Sequence, residues 1–288
     1  MLPKLSRFAR MAIAALLLFG AIAIFIRENW VIEVVNVDIT IDILPPEFDG
    51  FTIGQLTDLH GRKLNCNWVR KQLSGAGVDI ITLTGDYVRR DVHDMEGLEP
   101  LLALLPEIAP TYAVNGNHDW AAGWDKIAAI LQKHGIRVLE DEYVTLQRGD
   151  AQLLLSGVSY PYSSTADLAA ALPSSQWPLV LLTHSPQIFA DYPSNMLMGW
   201  QERELWGELL ARPNLTLVGH THGGQIKLPF IGAVTTASGE LFPRRHVQGL
   251  SREAGGWLYI SRGLGYTGIP LRFLSRPELT IVTLRKAK

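Results

Sequence analysis

Five short stretches of the sequence combine imidazole, carboxylate and amide side chains: QLTDLHG, TLTGDY, VNGNHDW, LLTHSP and VGHTHGG. They supply seven possible metal ligands, with two further polar residues beside them. The possible ligands are Asp58, His60, Asp86, Asn117, His184, His220 and His222, and the neighbours are His118 and Asp119. Nitrogen and oxygen ligands without a thiolate suit Mn, Fe, Co or Zn better than Ca or Mg. Seven ligands exceed what one ion usually binds, so the pattern favours two ions that share a carboxylate.

The elements that precede these stretches should bring them together. Each stretch follows or ends a short apolar run, which is typical of a strand buried on both faces and covered by helices. Helical patterns are predicted at Asn67–Ser74, Met95–Leu104, Trp124–His134, Thr165–Ala171 and Gln201–Leu210. The carboxyl ends of sheet strands are where α/β folds build sites, because several loops converge there. We therefore expect one α/β domain with the polar cluster at one edge of its sheet.

The stretches QLTDLHG and VGHTHGG each contain two candidate ligands that are two positions apart. Residues i and i+2 of a strand face the same side, so Asp58 should converge with His60, and His220 with His222. Glycines next to the ligands, Gly116 among them, should allow sharp turns and a close approach of the backbone.

Composition narrows the class of protein. The chain has 288 residues, a formal net charge of -2, 47% hydrophobic and 19% charged residues. This is enough for a folded domain with a sizeable core, and the near-zero charge gives no electrostatic footprint for nucleic acid. Cys66 is the single cysteine, so no internal disulfide can form.

Residues 1–30 predict a membrane segment. A basic leader that contains Lys4, Arg7 and Arg10 precedes the uncharged run Met11–Ile26. The run is short for a span, but flanking arginines can extend it by reaching the headgroups, and Trp30 suits the membrane interface. A cleaved signal peptide is the alternative, because the Ala-Ile-Ala at 21–23 resembles a cleavage site. The basic side should stay in the cytoplasm, which places residues 31–288 outside it.

In this order, the motifs DLH, GDY, GNHD, THS and GHTHGGQ resemble the calcineurin-like metallophosphoesterase family. The later run SRGLGYTGIPLRF is similar to the membrane-associated bacterial phosphodiesterases of the YkuE and YaeI type within it. The resemblance covers the chain from about Phe51 onward. It implies a four-layer αββα sandwich, here with an N-terminal transmembrane helix, and residues 31–288 as the catalytic domain.

The same resemblance implies roles for single residues. The first metal would bind Asp58, His60, Asp86 and His222, and the second Asp86, Asn117, His184 and His220, so that Asp86 bridges both. His118 would stand beside the substrate as a proton donor to the leaving group or a stabiliser of developing charge, and Asp119 would orient it. The implied reaction is attack on phosphorus by a hydroxide that bridges the metals.

The implied activity is hydrolysis of a phosphodiester or pyrophosphate bond. One substrate that the resemblance suggests is the lipid A precursor UDP-2,3-diacylglucosamine, a lipid that suits an anchored enzyme. That substrate is cytoplasmic, whereas the leader favours a single-pass protein of the bacterial inner membrane with a periplasmic catalytic domain. The alternatives are a periplasmic or cell-wall phosphodiester and a non-catalytic scaffold with this fold.

Two groups of residues are candidates for contact with the substrate. Arg89 and Arg90, after GDY, and Arg62, after DLHG, could bind a second phosphate or a carboxylate, or they could lie in solvated turns. Met196, Met198 and Trp200 could form an apolar lip for a lipid, or they could belong to a loop packed on the core.

Overall fold

Two six-stranded sheets form the centre of the molecule. The computed structural model describes residues 6–160, 167–189, 206–237 and 239–287. The first sheet has the order β1 (Glu33–Ile41), β14 (Glu278–Lys286), β2 (Thr52–Leu56), β3 (Ile80–Thr84), β4 (Thr111–Val114) and β5 (Arg137–Val138). The second has the order β12 (Gly249–Glu253), β13 (Gly256–Ile260), β9 (Leu215–Val218), β8 (Leu179–Leu182), β7 (Ala151–Gly157) and β6 (Glu142–Arg148). A small hairpin joins β10 (Lys227–Leu228) to β11 (Gly232–Ala233).

Helices cover the outer faces of both sheets. They are α2 (Cys66–Ala76), α3 (Glu99–Ile108), α4 (Asn117–Lys133) and α5 (Leu168–Ala171), with a further helical stretch at 206–210. Helix α1 (Arg7–Trp30) precedes β1 and covers neither sheet. Every residue of β2, β3, β8 and β9 is buried. These strands are parallel to their neighbours β3, β4, β7 and β8. Parallel strands covered on both faces are expected to be apolar throughout, as these runs are.

Three apolar clusters show how the layers stack. The cluster around Ile53 and Leu155 joins the inner faces of the two sheets. The cluster around Leu83 and Leu102 packs helices α2, α3 and α4 on the outside of the first sheet. A third, around Leu181 and Leu209, packs α5 and the 206–210 stretch on the outside of the second. The four-layer αββα sandwich is therefore confirmed.

The helices differ from the predicted ranges mainly at their ends. Asn67–Ser74 lies inside α2, which begins after an Asn65 side chain that accepts from the backbone N–H of Trp68 and ends at a left-handed Gly77. Met95–Leu104 divides into a 3-10 turn at Val92–Gly97 and α3, because Pro100 favours a new helix start there.

One other predicted helix changes length, and two lie partly outside the described residues. The Trp124–His134 pattern is the second part of α4, which already begins at Asn117 and bends at Gly123, where φ is 102°. For Thr165–Ala171, residues 165–166 lie outside the described part, and the helix covers Leu168–Ala171. For Gln201–Leu210, residues 201–205 lie outside the described part and 206–210 are helical.

Helix α1 is the one described helix that is long and apolar enough to cross a membrane. Its 24 residues span about 36 Å, more than the roughly 30 Å of a bilayer core. Of its residues only Glu28 is buried. Its last turn is bound to the domain by Asn29, whose side-chain oxygen accepts from the backbone N–H of Arg272 at 2.7 Å. The side-chain amide of Asn29 donates to the Arg272 carbonyl at 3.2 Å.

Arg272 organises the loop between β13 and β14. Its side chain is 1% exposed, and its guanidinium donates to backbone carbonyls of five residues. These are His222 at 3.3 Å, Arg262 at 2.8 Å, Gly263 at 3.3 Å, Gly265 at 2.9 Å and Ser275 at 3.0 Å. The carbonyls of Arg262, Gly265 and Ser275 have no other donor among the described contacts, so each would lose its partner if the guanidinium were removed, whereas those of His222 and Gly263 keep a second donor.

We expect Arg272→Met to lower the free energy of unfolding by at least about 3 kcal/mol, since several buried carbonyls would be left without donors. The measurement is thermal or denaturant unfolding of the full chain. Arg252→Met is the matched control, because Arg252 lies 3.8 Å above the Trp257 ring on an exposed strand and should cost no more than about 1 kcal/mol. Equal losses for the two variants would contradict a structural role for the Arg272 network.

Candidate metal centre

The sequence-predicted ligands all follow the carboxyl ends of strands. Asp58 and His60 follow β2, Asp86 follows β3, and Asn117 begins α4 directly after β4. On the second sheet, His184 follows β8 and His220 and His222 follow β9. Seven polar residues from five loops thus meet where the two sheets face one another.

The backbone that presents them is unusual. Five of the seven have φ in the left-handed region: Asp58 (52°), His60 (46°), Asp86 (56°), His220 (72°) and His222 (52°). Asp58 and His60, and His220 and His222, do converge on one cluster, with His60 Nε2 3.9 Å from Asp58 Oδ1, but left-handed loops and not strand alternation bring them there. Strands β2 and β9 end at Leu56 and Val218, before the ligands begin. A non-glycine residue in this region is strained, and such strain concentrates at functional sites.

The ligand atoms form two linked groups. In the first, His222 Nε2 lies 3.5 Å from Asp58 Oδ1 and 3.1 Å from His60 Nε2. In the second, His184 Nε2 lies 3.2 Å from Asp86 Oδ2 and 3.0 Å from His220 Nδ1. Asp86 Oδ2 also lies 3.5 Å from His60 Nε2, so this carboxylate connects the two groups.

Backbone carbonyls orient two of the imidazoles. His60 Nδ1 lies 3.0 Å from the Val88 carbonyl, and His184 Nδ1 lies 2.8 Å from the Thr84 carbonyl. A carbonyl can only accept, so in each ring Nδ1 carries the proton and Nε2 directs a lone pair into the cluster when the ring is neutral. Metal-binding histidines are commonly held by such a second hydrogen bond.

The donor set fits divalent metal ions. Asn117 Oδ1 is buried and has no hydrogen-bond partner among the described residues. Such an unpaired acceptor is costly in a protein interior unless a cation or water satisfies it. Four imidazole and two carboxylate side chains converge in the same buried space, where a cation would stabilise them. They are His60, His184, His220, His222, Asp58 and Asp86.

Protonation in the metal-free protein is set by burial and by mutual charge. Burial lowers the pKa of His60 to about 4 and that of His220 to about 3, so both rings are neutral at pH 7. Burial raises the pKa of Asp58 to about 6. Burial would also raise the pKa of Asp86, but the charge of His184 outweighs it and holds that pKa below its usual value. Against its own burial, His184 has its pKa raised to about 9 by the Asp86 carboxylate.

Two glycines let the loops approach these carboxylates. A Cβ on Gly116 would lie 2.2 Å from Asp86 Oδ1, and a Cβ on Gly219 would lie 2.2 Å from Asp58 Oδ2. No side chain fits at either position while the carboxylates keep their places. The close approach expected of Gly116 is present, and Gly219, which precedes His220, has the same property.

His118 lies at the edge of the cluster. Its ring is 4.9 Å from that of His60, nearly perpendicular to it, and His118 is less buried than the ligands. The ring nitrogen Nδ1 lies 2.8 Å from the Arg89 carbonyl, so Nδ1 carries the proton and Nε2 is left for other partners.

Asp119 has a different position from the one expected. Its carboxylate is fully buried and accepts backbone N–H donors from Asp86 at 2.7 Å, Tyr87 at 2.8 Å, Val88 at 3.2 Å and Gly116 at 2.9 Å. It thereby joins the loops after β3 and β4. Among the described contacts, the partner that orients His118 is the Arg89 carbonyl and not Asp119, because all the donors that Asp119 binds are backbone groups.

The candidate substrate contacts are only partly near the cluster. Arg89 and Arg90 have exposed side chains, and their backbone N–H groups donate to Asp94 at 2.8 and 3.0 Å. Arg62 instead extends toward the last turn of α1 and donates to the Asn29 carbonyl at 3.1 Å. Met196, Met198 and Trp200 lie outside the described residues.

Arg272 is the residue near the site that sequence reasoning missed. Its guanidinium lies 3.1 Å from His222 Nδ1, behind the metal-facing side of that ring. Arg272 lies in the run SRGLGYTGIPLRF, which the sequence analysis used only for the family resemblance. Arg262 forms ion pairs with Glu33 and Glu278.

Comparison with known proteins identifies the family. The model of the calcineurin-like phosphoesterase family matches residues 51–224, which include all seven candidate ligands. The metallophosphoesterase YkuE of Bacillus subtilis is 29% identical over 277 residues, 90% of this chain and 87% of that protein. Phosphodiesterase YaeI of Escherichia coli is 32% identical over 72% of this chain and 70% of its own length.

A vertebrate relative is also similar. The transmembrane protein with metallophosphoesterase domain of Danio rerio is 26% identical over 96% of this chain and 63% of that protein. The family match covers more than half of the chain. YkuE and YaeI, the two proteins to which the sequence motifs pointed, are both similar to this chain. The chain belongs to the calcineurin-like metallophosphoesterase family.

Proposed function

We propose that residues 31–288 form a hydrolase of phosphodiester or pyrophosphate bonds with a binuclear metal centre. The observation that carries this proposal is the pair of ligand groups that share Asp86. Asp58, His60, Asp86 and His222 would hold one ion, and Asp86, Asn117, His184 and His220 the other. The donor types fit Mn, Fe, Co or Zn.

Divalent ions held by these residues would supply Lewis acidity for the phosphoryl oxygens and make a water molecule a better nucleophile. The chain contributes a rigid arrangement of donors. The carbonyls of Val88 and Thr84 fix the tautomers of His60 and His184, and the strained loops hold both carboxylates in place. Preorganised donors of this kind need little rearrangement during the reaction.

His118 is the proposed acid for the leaving group. With its proton on Nδ1 bound to the Arg89 carbonyl, Nε2 is free to carry a second proton toward the leaving oxygen. Its position beside the His60 ring places it at the edge of the cluster, where a departing group would emerge. Asp119 has a positioning role in this proposal, because it holds the backbone of residues 86–88 against Gly116.

The complete ligand set favours an enzyme over a non-catalytic scaffold. A scaffold would have no requirement for an unpaired, buried Asn117 oxygen or for left-handed backbone at five ligand positions. YaeI of Escherichia coli is named a phosphodiesterase, which supports the same reaction class. For the substrate, we propose a phosphodiester or pyrophosphate at the membrane, either a lipid-linked one such as UDP-2,3-diacylglucosamine or a periplasmic or cell-wall diester.

We also propose that α1 is a single-pass anchor in a bacterial inner membrane with the catalytic domain on the periplasmic side. Its support is the length of α1 and the arginines at positions 7 and 10, ahead of the apolar run.

The first prediction concerns metal content. We expect the wild-type chain to contain about two transition-metal ions, and Asp86→Asn to lose both, because the charge shared by the two sites is removed. His222→Ala and His184→Ala should each lose about one. Elemental analysis of the purified proteins measures this directly. Asp94→Asn, a nearby aspartate that binds only loop N–H groups in the described contacts, should retain both ions. Active wild-type protein without a transition metal would refute the proposal.

A second prediction concerns His118. We expect His118→Asn to slow a diester with an alkyl leaving group by about 10²–10⁴-fold, because that oxygen needs a proton as it departs. A p-nitrophenolate leaving group needs none, so its loss should stay within about tenfold. The rates are compared in wild type and variant at equal metal content, which elemental analysis confirms. Equal losses on both substrates would show that His118 positions the substrate instead.

A third prediction concerns topology. Two reporters are fused separately to the C-terminus, one that is active only in the periplasm and one that is active only in the cytoplasm. The periplasmic reporter should give a signal and the cytoplasmic one should not, because the basic leader precedes α1. Reversed activity of matched cytoplasmic and periplasmic reporters would contradict that orientation and favour the cytoplasmic lipid substrate. Placing arginines after α1 instead of before it is the control that should invert the signal.

A further inference from the structure

Large apolar side chains are exposed on one small region outside the anchor. They are Leu228, Phe230, Ile231, Leu241, Phe242 and Ile269, which we call the apolar patch. Three of them belong to the β10–β11 hairpin, and Phe230 at its tip is completely exposed. Single exposed apolar residues are ordinary, but a group on adjoining segments usually marks an interaction surface.

Backbone hydrogen bonds show that these segments adjoin. The Phe242 N–H donates to the Val234 carbonyl at 2.9 Å, and the Val234 N–H donates to the Ile226 carbonyl at 3.1 Å. The Lys227 N–H in turn donates to the Phe273 carbonyl at 2.9 Å. The side-chain amide of Gln225 donates to the Ile269 carbonyl at 2.7 Å, which adds the last member of the patch. The four segments therefore lie side by side.

The same layer is joined to the end of the anchor. Phe273 follows Arg272, which exchanges hydrogen bonds with Asn29 in the last turn of α1. Phe230 follows Lys227 by three positions, about 10 Å of extended chain. The membrane–water interface admits apolar groups to a depth of about 5–10 Å, so the tip is within reach of the surface that α1 enters.

The chemistry of the patch and its surroundings suits a lipid surface. Phenylalanine, leucine and isoleucine side chains are those that enter the headgroup and acyl boundary. Exposed Arg244 follows Phe242 by two residues, and its long side chain can reach lipid phosphates while its stem stays near apolar groups. Trp30, exposed at the end of α1, lies where aromatic residues mark the membrane interface.

We propose that the apolar patch docks on the lipid bilayer that α1 enters, with Phe230 and Ile231 inserted among the headgroups. This second attachment fixes the rotation of the catalytic domain about the anchor. Beside the patch lies a cleft of about 360 Å³ that is lined by Ile226, Val234 and Ile269 and reaches His222, one of the seven candidate ligands. A phosphoester in the headgroup layer would then reach the centre without leaving the membrane surface.

The test uses the full chain in liposomes, with Cys66→Ser and one new cysteine that carries an environment-sensitive fluorophore. The probe positions are Phe230→Cys and, separately, Ile231→Cys. Leu17→Cys within α1 is the positive control. Ile43→Cys is the matched negative control, because Ile43 is exposed but follows β1 at the end opposite the anchor, about 30 Å from Glu33.

We expect brominated phosphatidylcholine and phosphatidylglycerol to quench the labels at 17, 230 and 231 by at least about twofold, and the label at 43 hardly at all. Quenching at 17 without quenching at 230 and 231 would overturn the proposal while leaving the anchor intact. A tip label that is shielded from water but not quenched by bromolipid would also overturn it, since protein would then cover the patch. Without quenching at 17, the anchor and the docking surface would both be refuted.

A kinetic consequence follows if the proposed hydrolase activity is present. Changing Phe230 and Ile231 together to serine should raise the KM for a bilayer-embedded diester by about tenfold, a change of roughly 1.4 kcal/mol. A water-soluble diester should be hydrolysed as before, and Ile43→Ser should change neither rate. An unchanged KM on the embedded substrate would contradict docking as a source of substrate access. No activity in any variant or in wild type would refute the proposed function instead, and the quenching result would still stand.

Discussion

The structure depends on keeping four imidazoles and two carboxylates together in a buried space. Charged groups lose hydration there, and their shifted pKa values reflect that loss: Asp58 is raised to about 6, and His60 is lowered to about 4. Such a cluster is stable only where its members compensate one another or a cation binds them. The pairing of Asp86 with His184 provides part of this compensation within the chain. The compensation is incomplete at Asn117, whose buried side-chain oxygen has no hydrogen-bond partner among the described residues.

The two sheets provide the rigidity that this arrangement requires. Fully buried strands such as β2 and β9 end two residues before the first candidate ligand that follows them, so their packing fixes where the strained loops begin. Asp119 then ties residues 86–88 to Gly116 through four backbone N–H groups. Left-handed backbone at Asp58 and His222 persists because the surrounding structure determines it on every side.

Arg272 connects this site to helix α1. Its guanidinium contacts the imidazole and the carbonyl of His222, and its backbone is bonded to Asn29 at the end of α1. One buried residue therefore holds the candidate ligand His222, the loop before β14 and the last turn of α1 in fixed relation. The proposed membrane contact of the hairpin tip lies in the next segment, since Lys227 pairs with Phe273.

The sequence alone determined the elements and the chemistry. Apolar runs followed by Asp58, Asp86 or His184 predicted buried strands with ligands at their ends, because strand burial and ligand type are local properties of the chain. The resemblance then implied the four-layer sandwich, and residues 11–26 indicated the apolar helix.

Tertiary structure decided what depends on residues distant in sequence. The left-handed loops replaced the expected alternation at Asp58 and His60, since a strand conformation there would have continued past the ligand cluster. Asp119 bound the backbone of residues 86–88, which come together with it only after β3 and β4 pair. Arg272 stands 50 residues from His222 and contacts it only because the loop before β14 folds back over the site, a contact that no local pattern could indicate.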